Sequence, residues 1–310
     1  MKNMLRDFDN ALFRYGSPVT LGVLRIVFGF MVLCNWLIML PNVMNWFSEK
    51  GYVPVQAAMR WNGDAPRFNP FANVTDPTLI MVLYGLLILF TITTIIGFQT
   101  RISTILLAIF TVGFHMRNPI ILYGGDTLLR VSVIMMAIAP MGAAVSLDRR
   151  FAVAKGKAPA IPLDISIWPQ RLFQWQLAVL YITSCWNKWH GSYWQDGTAT
   201  YYSLRLTEFE KFPVPEFAKH MPWLAVTTWG TLIIQMAMGT LVFARPFRNY
   251  ALIGGLILHF SLEYVVNVPI FQWIITSLYV SHIDGEEWVR WWNKWSTKRF
   301  GAQAVPEVAE

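Results

Sequence analysis

The chain has 310 residues, of which 55% are apolar and only 14% are charged, and its mean hydropathy is +0.41. Because about 25% of an ordinary soluble protein is charged, this composition excludes a soluble enzyme, a disordered protein and a collagen-like or coiled-coil rod. Eight spans of about 20 residues would use about 160 residues, close to the apolar total, so a polytopic membrane protein is predicted. The net charge of +7 is attributed to cytoplasmic loops, and no nucleic-acid partner is expected.

The N-terminal region lacks the short apolar core and cleavage site of a removable signal peptide. Polar and apolar residues alternate at helical spacing over 3–15, which predicts an amphipathic helix lying in the membrane interface. Eight spans follow in chain order, and a re-entrant helix in 41–76 or 197–220 would add a ninth. The predicted spans are 19–40, 77–97, 102–115, 127–145, 169–186, 223–243, 250–266 and 271–281.

The predicted fold class is therefore all-α, with one transmembrane domain over 1–283 and a cytoplasmic amphipathic tail over 284–310. If the N-terminus is cytoplasmic, the inner segments carry 15 lysines and arginines and the longer outer segments carry 8, so both termini are predicted to be cytoplasmic. Four tryptophans lie among basic residues in the tail, which predicts a second interfacial helix. Cys34 and Cys185 lie in apolar segments without C-x-x-C spacing, so we interpret them as core residues and expect no metal site.

Ionisable side chains within a span are costly, so each is a functional-site hypothesis. The predicted topology brings seven of them to the outer leaflet: His115, Arg117, Asp126, Arg130, Lys188, His259 and Glu263. Structural interpretations stay open beside this one. Asp126 and Arg130 are four residues apart and can neutralise each other. His259 and Glu263 have the same spacing and could form a buried hydrogen-bonded pair. Arg25 lies in the inner half of the first span, where it can extend to the headgroups or tie helices together.

Lys188 is the strongest of these candidates. It lies in Ser-Cys-Trp-Asn-Lys-Trp-His-Gly over 184–191, where tryptophans flank it and a glycine follows. A lysine that ends a span commonly just reaches the headgroups. Aromatic packing would instead remove water from the amine and favour its neutral form, which is the form that takes a proton from a weak organic acid.

Four ordered stretches carry a family resemblance. They are Leu-Gly-Val-Leu-Arg-Ile-Val-Phe-Gly over 21–29, His-Met-Arg-Asn over 115–118 leading to Gly-Gly-Asp-Thr-Leu-Leu-Arg over 124–130, Ser-Leu-Asp over 146–148, and Asn187-Lys188 through Gly191, Trp194 and Gly197. In order and spacing this set resembles the horizontally transferred transmembrane (HTTM) domain, which the vitamin K-dependent gamma-carboxylases share with many bacterial membrane proteins. The resemblance covers nearly all of residues 5–283.

The resemblance implies a role for Lys188. In the carboxylases the lysine at this position is regarded as the base that deprotonates reduced vitamin K on the lumenal side. Two departures argue against carboxylation of protein glutamate by this chain. No counterpart of the large lumenal domain is expected after the last predicted span, and the position of an assisting histidine falls at Asn118-Pro119.

The leading hypothesis is a stand-alone HTTM protein of a bacterial cytoplasmic membrane. It would have an outward-opening cavity for a quinone or another lipid-like molecule. A reduced quinone is the candidate cofactor. Lys188 would act as base or cation, with Asp126, His259 and Glu263 as further acid/base groups. The expected binding residues are Arg130, Arg117, His115, Trp189, Trp194 and Asn187.

A non-catalytic alternative is a membrane partner that matures or exports a secreted peptide. The outer loops 41–76 and 187–221 would grip the peptide on the outer face. A transporter is disfavoured because no internal repeat is visible and most charges lie at one end of the predicted spans.

Overall fold

A computed structural model of the protein describes residue 9 and residues 12–60 and 68–300. Most of the predicted N-terminal amphipathic helix (3–8, 10 and 11), and residues 301–310 of the predicted tail, lie outside this described part. Within it the regular secondary structure is helical apart from an antiparallel pair of two-residue strands, β1 (Tyr15–Gly16) and β2 (Ile165–Ser166). The all-α fold class is confirmed.

The α-helices are numbered in chain order. They are α1 (Val19–Met39), α2 (Val43–Phe47), α3 (Val55–Arg60), α4 (Pro77–Ile96), α5 (Thr100–Arg117), α6 (Gly124–Ile138), α7 (Leu147–Ala154), α8 (Trp168–Trp189), α9 (Ser192–Gln195), α10 (Ala199–Ser203), α11 (Trp223–Gly239), α12 (Arg245–Val265), α13 (Phe271–Ser277) and α14 (Gly285–Phe300). Short 3₁₀ turns occur at Leu40–Asn42, Pro119–Ile121, Thr207–Phe209, Glu216–Lys219, Leu241–Phe243 and Leu278–His282.

Two helical segments of the described chain are long and apolar enough to cross a membrane by length and composition, Val19–Phe47 and Pro77–Ile96. Both expose large apolar side chains, such as Phe30 and Ile38 on α1 and Val82 on α4. Such exposure is unfavourable in water and expected where a helix faces lipid tails. The count of eight spans stays a prediction.

The ends of the helices follow local chemistry. The Asp76 carboxylate accepts a hydrogen bond from the Leu79 backbone N–H at 2.7 Å, and Pro77 occupies the first turn, so α4 begins where the sequence predicts. The predicted span 127–145 ends early in the structure. Its helix α6 stops at Ile138 because Pro140 holds Ala139 in an extended conformation.

The contacts divide the chain into two compact units, which we describe separately. Unit 1 comprises Met1–Arg171 and Val280–Glu310. In it α1 packs on α4, α4 on α5, and α5 on α6, so neighbours in the chain are neighbours in space, and α14 packs against α1. The core of unit 1 is aromatic: Trp36, Phe47, Tyr84 and Phe114 are all buried, and Tyr84 and Phe114 each contact the other three rings.

A polar junction holds one end of unit 1 together. The Arg25 guanidinium is fully buried and donates to the Val145 carbonyl at 2.5 Å. Gly97 ends α4 with φ +71°, where an added Cβ would overlap that guanidinium. Asp148 caps the start of α5 by accepting from the Gln99 and Thr100 N–H groups at 2.8 and 2.6 Å. Of the two structural roles open for Arg25, tying helices together is the one observed.

Unit 2 comprises Leu172–Tyr279 and contains most of α8 together with α9 to α13. Its helix α12 packs on α11 and α13, and α10 packs on α11. Gly239 lies so close to Ile182 that a Cβ there would meet the Ile182 Cγ1 at 2.5 Å, so α8 and α11 approach each other closely.

Candidate functional site

Lys188 lies in the last turn of α8, in unit 2, and is half-buried. Its Nζ donates to the Ser184 Oγ one turn earlier at 2.6 Å and lies 5.5 Å from the centroid of the Trp194 ring. Trp189 and Asn187 are exposed, so Trp194 is the predicted aromatic residue that contacts the amine. A cation over an indole face gains about 0.5–2 kcal/mol, depending on how far it is desolvated.

The turn after α8 positions Trp194. The Gly191 N–H donates to the Lys188 carbonyl at 2.9 Å, which ends the helix and begins α9. The Trp194 carbonyl accepts from the Trp229 indole N–H at 3.1 Å, so α11 holds the segment in place. Gly197, with φ +80°, completes the turn.

Lys188 has no carboxylate within ion-pair distance in the described part of the chain. Two other unit 2 lysines differ: Lys211 pairs with Glu263 at 2.5 Å and Lys219 with Glu216 at 2.7 Å. Thus no carboxylate among the described residues neutralises the amine of Lys188, and an acidic group that approached it would not have to displace an ion-pair partner.

His259 lies at the centre of a buried hydrogen-bonded array in unit 2. Its Nδ1 lies 2.5 Å from the Gln272 Oε1, and its Nε2 lies 2.7 Å from the Tyr181 hydroxyl, which in turn is 2.5 Å from the Tyr279 hydroxyl. Because an amide oxygen only accepts, the neutral imidazole carries its proton on Nδ1 and accepts on Nε2. Tyr279 therefore donates to Tyr181, Tyr181 to His259, and His259 to Gln272.

The i, i+4 spacing of His259 and Glu263 does not produce a pair, because each has its own partners. Glu263 binds Lys211, which lies in a segment paired with the end of α12 through the bridge between Glu210 and Val266. Both nitrogens of His259 are engaged in the array. Catalytic roles for the two residues stay predictions.

In unit 1 the structure brings together the predicted residues His115 and Asp126. The His115 Nε2 lies 3.8 Å from the Asp126 Oδ1, and the imidazole packs on the Trp36 indole at 5.3 Å between centroids. The other carboxylate oxygen of Asp126 accepts from the Tyr123 N–H at 3.1 Å and so also caps α6. Arg130, one turn further along α6, interacts electrostatically with both residues.

Several buried polar atoms at or near His115 make no hydrogen bond within the described part of the chain. They are both ring nitrogens of His115, the indole nitrogen of Trp36 and the Thr111 hydroxyl one turn before His115. Buried polar groups in folded proteins are nearly always satisfied by protein, water or ligand. These four atoms would be satisfied if water or another polar group bound beside them.

Arg117, predicted to bind substrate, is 1% exposed and engaged with the backbone. Its Nε donates to the Phe47 carbonyl at 2.5 Å and its Nη1 to the Phe71 carbonyl at 2.7 Å. The adjacent Asn118 donates to the Trp46 carbonyl at 2.8 Å. These contacts support a structural role in fixing the segment around α2 to the end of α5, and a role in binding stays a prediction.

Sequence reasoning missed the partners of the candidate residues, namely Ser184, Lys211, Tyr181, Gln272 and Tyr279 in unit 2 and Trp36 in unit 1. A glutamine and two tyrosines within otherwise apolar helices were the available signal, since such groups need partners when they are buried. Among the described residues, no group of three His, Cys, Asp or Glu side chains could hold a metal ion.

Comparison with known proteins gives one match. The family model described as the HTTM domain matches residues 13–283, nearly the whole chain. Neither the curated proteins nor the solved structures that were compared with the chain gave a significant match. The matched range contains all ten candidate site residues.

Proposed function

Because the chain belongs to the HTTM family, a family of membrane proteins, we propose that it binds a quinone or another lipid-like molecule in an outward-facing site beside Lys188. The membrane would be a bacterial cytoplasmic membrane that the chain crosses several times. The observation that carries the proposal is the half-buried Lys188 amine, held by Ser184 and Trp194 without a carboxylate partner among the described residues.

The chemistry proposed for Lys188 is a single proton transfer, as the resemblance to the carboxylases implies. The neutral Nζ takes the proton of a hydroxyl on a reduced quinone, so that the O–H bond breaks, an N–H bond forms and an ammonium faces a quinol anion. Trp194 supports this product because its ring face stabilises the cation. The exposed Trp189 and Asn187 are proposed to contact the rest of the bound molecule.

The test is the absorption spectrum of a short-chain naphthohydroquinone bound anaerobically to the detergent-solubilised protein. An ionised hydroquinone absorbs at longer wavelength than the neutral form, so the wild type is expected to show the red-shifted band. Lys188→Met should lose it, and Lys188→Arg should bind the probe without it, because arginine stays protonated. Lys219→Ala, elsewhere in unit 2, is the matched control and should keep the band.

The results separate the parts of the proposal. Binding without the red-shifted band in the wild type would remove the role of Lys188 as base. Absence of any binding to the wild type would overturn the quinone site itself.

A second candidate function is supported by the exposed aromatic surface of the loop 187–221. Tyr202, Phe209, Phe212 and Phe217 expose between 47% and 60% of their surface. Such a surface suits a secreted peptide partner. Copurification of a peptide with the wild type, lost on Phe212→Ala together with Phe217→Ala and kept on Lys219→Ala, would favour this function over quinone binding.

A further inference from the structure

The helix α14 (Gly285–Phe300) is fixed at its start to the beginning of α1. The Thr20 hydroxyl donates to the Ile283 carbonyl at 2.8 Å, and Arg14 and Asp284 form an ion pair at 3.8 Å. Gly285 packs so tightly on Ser17 that a Cβ there would lie 2.7 Å from the serine side chain. The direction of α14 is therefore set by unit 1, next to the end of a candidate membrane span.

One face of α14 carries a stripe of exposed indoles. Trp291, Trp292 and Trp295 are 52%, 63% and 45% exposed, and the half-buried Trp288 lies on the same face one turn earlier. The rings pair along the helix, Trp288 with Trp291 and Trp292 with Trp295, each at 5.2 Å between centroids. Indoles on a helix attached to the end of a candidate membrane span are typical of the membrane–water interface, where an apolar ring and an N–H group are both accommodated.

A basic edge runs beside the indole stripe. Arg290 and Lys294 are four residues apart, which places them on one face of the helix, and both are exposed. Glu286 lies one turn before Arg290, but within the described residues no carboxylate lies within ion-pair distance of either cation. Their charges are therefore available to an external anion.

That end of unit 1 carries further arginines, of which Arg14 is paired with Asp284. Strand β1, just before α1, pairs with β2, and the Ile167 N–H donates to the Arg14 carbonyl at 3.0 Å. At the same end Gly22 packs against Ala144, shortly before α7 with its two arginines, Arg149 and Arg150. Cations gathered near a membrane surface attract anionic lipids, at about 1 kcal/mol for each lysine or arginine.

We propose that α14 is a binding surface for anionic phospholipids of the leaflet at the start of α1. The indoles of Trp291, Trp292 and Trp295 lie at headgroup level, and Arg290 and Lys294 bind the lipid phosphates. The indoles supply affinity for any bilayer surface, whereas the basic edge supplies the preference for negative charge. This surface lies in unit 1, and the inference does not depend on the function proposed for Lys188 in unit 2.

The test is native mass spectrometry of the full-length protein in detergent, titrated with phosphatidylglycerol or phosphatidylcholine. The wild type is expected to bind phosphatidylglycerol more tightly. Arg290→Gln with Lys294→Gln should weaken that binding about 25-fold, about fivefold for each charge, and leave phosphatidylcholine unchanged. Trp291→Ala with Trp292→Ala should weaken the binding of both lipids.

The matched control is Lys50→Gln with Arg60→Gln, which removes two exposed charges elsewhere in unit 1. Equal binding of the two lipids by the wild type would overturn the proposal, as would an equal loss in the control and in the Arg290/Lys294 variant. A dimer or a copurified protein that disappears with the tryptophan substitutions would show that the indoles bind a protein and would also overturn it.

Discussion

In the buried array of unit 2, a single residue fixes the direction of a series of hydrogen bonds. Gln272 decides the tautomer of His259, because its oxygen can only accept, and that choice fixes the donor at every later step through Tyr181 to Tyr279. Both nitrogens of His259 are thus engaged, whereas the Lys188 amine, hydrogen-bonded to Ser184, has no carboxylate partner among the described residues. This difference makes Lys188 the stronger candidate for chemistry.

Two substitutions in this array should have unequal costs. Tyr181→Phe removes the middle hydroxyl, which leaves the His259 Nε2 without a donor and Tyr279 without an acceptor. Tyr279→Phe removes only the donor to the Tyr181 hydroxyl, which still donates to His259. We expect Tyr181→Phe to lower the free energy of unfolding by about 1–3 kcal/mol more than Tyr279→Phe does. The check is the melting temperature of the two variants in the same detergent. Equal melting temperatures would contradict the assigned direction.

A second prediction concerns the glycine that ends α4 and a glycine inside it. Gly97 has a positive φ and faces the Arg25 guanidinium, so Gly97→Ala should be destabilising through both strain and overlap. Gly85 lies within the helix, where an added Cβ would have open space around it, so Gly85→Ala should be neutral or stabilising by up to about 1 kcal/mol. Thermal melting of the two variants in parallel checks this. A similar loss of thermal stability in both variants would argue against the close contact between Gly97 and Arg25.

At the scale of elements, several weak contacts in unit 2 attach the loop around 209–213 to the end of α12. The Lys211 N–H donates to the Val265 carbonyl at 3.1 Å, and the Asn267 N–H to the Phe209 carbonyl at 2.6 Å. Tyr264 stacks on Phe212 at 5.3 Å and its hydroxyl donates to the Pro213 carbonyl at 3.1 Å. The ion pair between Lys211 and Glu263 belongs to this attachment.

The attachment predicts a pattern of proteolysis. Tyr264→Ala removes both the stacking and the hydrogen bond, so the loop around 209–213 should open more often and be cleaved faster. Tyr264→Phe keeps the stacking and should be cleaved at a rate between those of wild type and Tyr264→Ala. Tyr250→Ala, also on α12 and 76% exposed, is the control and should match wild type. Unchanged cleavage in Tyr264→Ala would show that Tyr264 does not hold the loop.

At the scale of the whole molecule, hydrophobic pattern was sufficient to place the long helices. The α1 and α4 boundaries agree with the predicted spans within one residue, because Pro18, Pro77 and Gly97 mark their ends in the sequence. The predicted span extends past the end of α6 because apolar residues continue after Pro140, and the prediction followed those residues instead of the proline.

The candidate site was less predictable than the fold. Spacing placed Trp194 near Lys188, but it also suggested a pair between His259 and Glu263 that does not form. Partners such as Tyr181 and Lys211 are far away in the sequence, so pairing depends on tertiary packing that no local pattern encodes. The convergence of all seven outer ionisable residues on one pocket stays a prediction.

The proposed orientation is checked by cysteine labelling. In a Cys34→Ala/Cys185→Ala background, a membrane-impermeant maleimide added to intact cells should label Lys50→Cys and Lys219→Cys. It should label Lys155→Cys and Arg290→Cys only after the cells are opened, because positive residues favour the inner side. Labelling of Lys155→Cys in intact cells would reverse the orientation.

The most direct test of a lipid-like ligand beside Lys188 is mass spectrometry of the small molecules that copurify with the solubilised protein. A quinone or related lipid should accompany the wild type, remain with Lys219→Ala, and be depleted at least severalfold by Trp194→Ala with Lys188→Met. A peptide in its place, or a bound molecule whose amount is unaffected by those two substitutions, would contradict the proposed site.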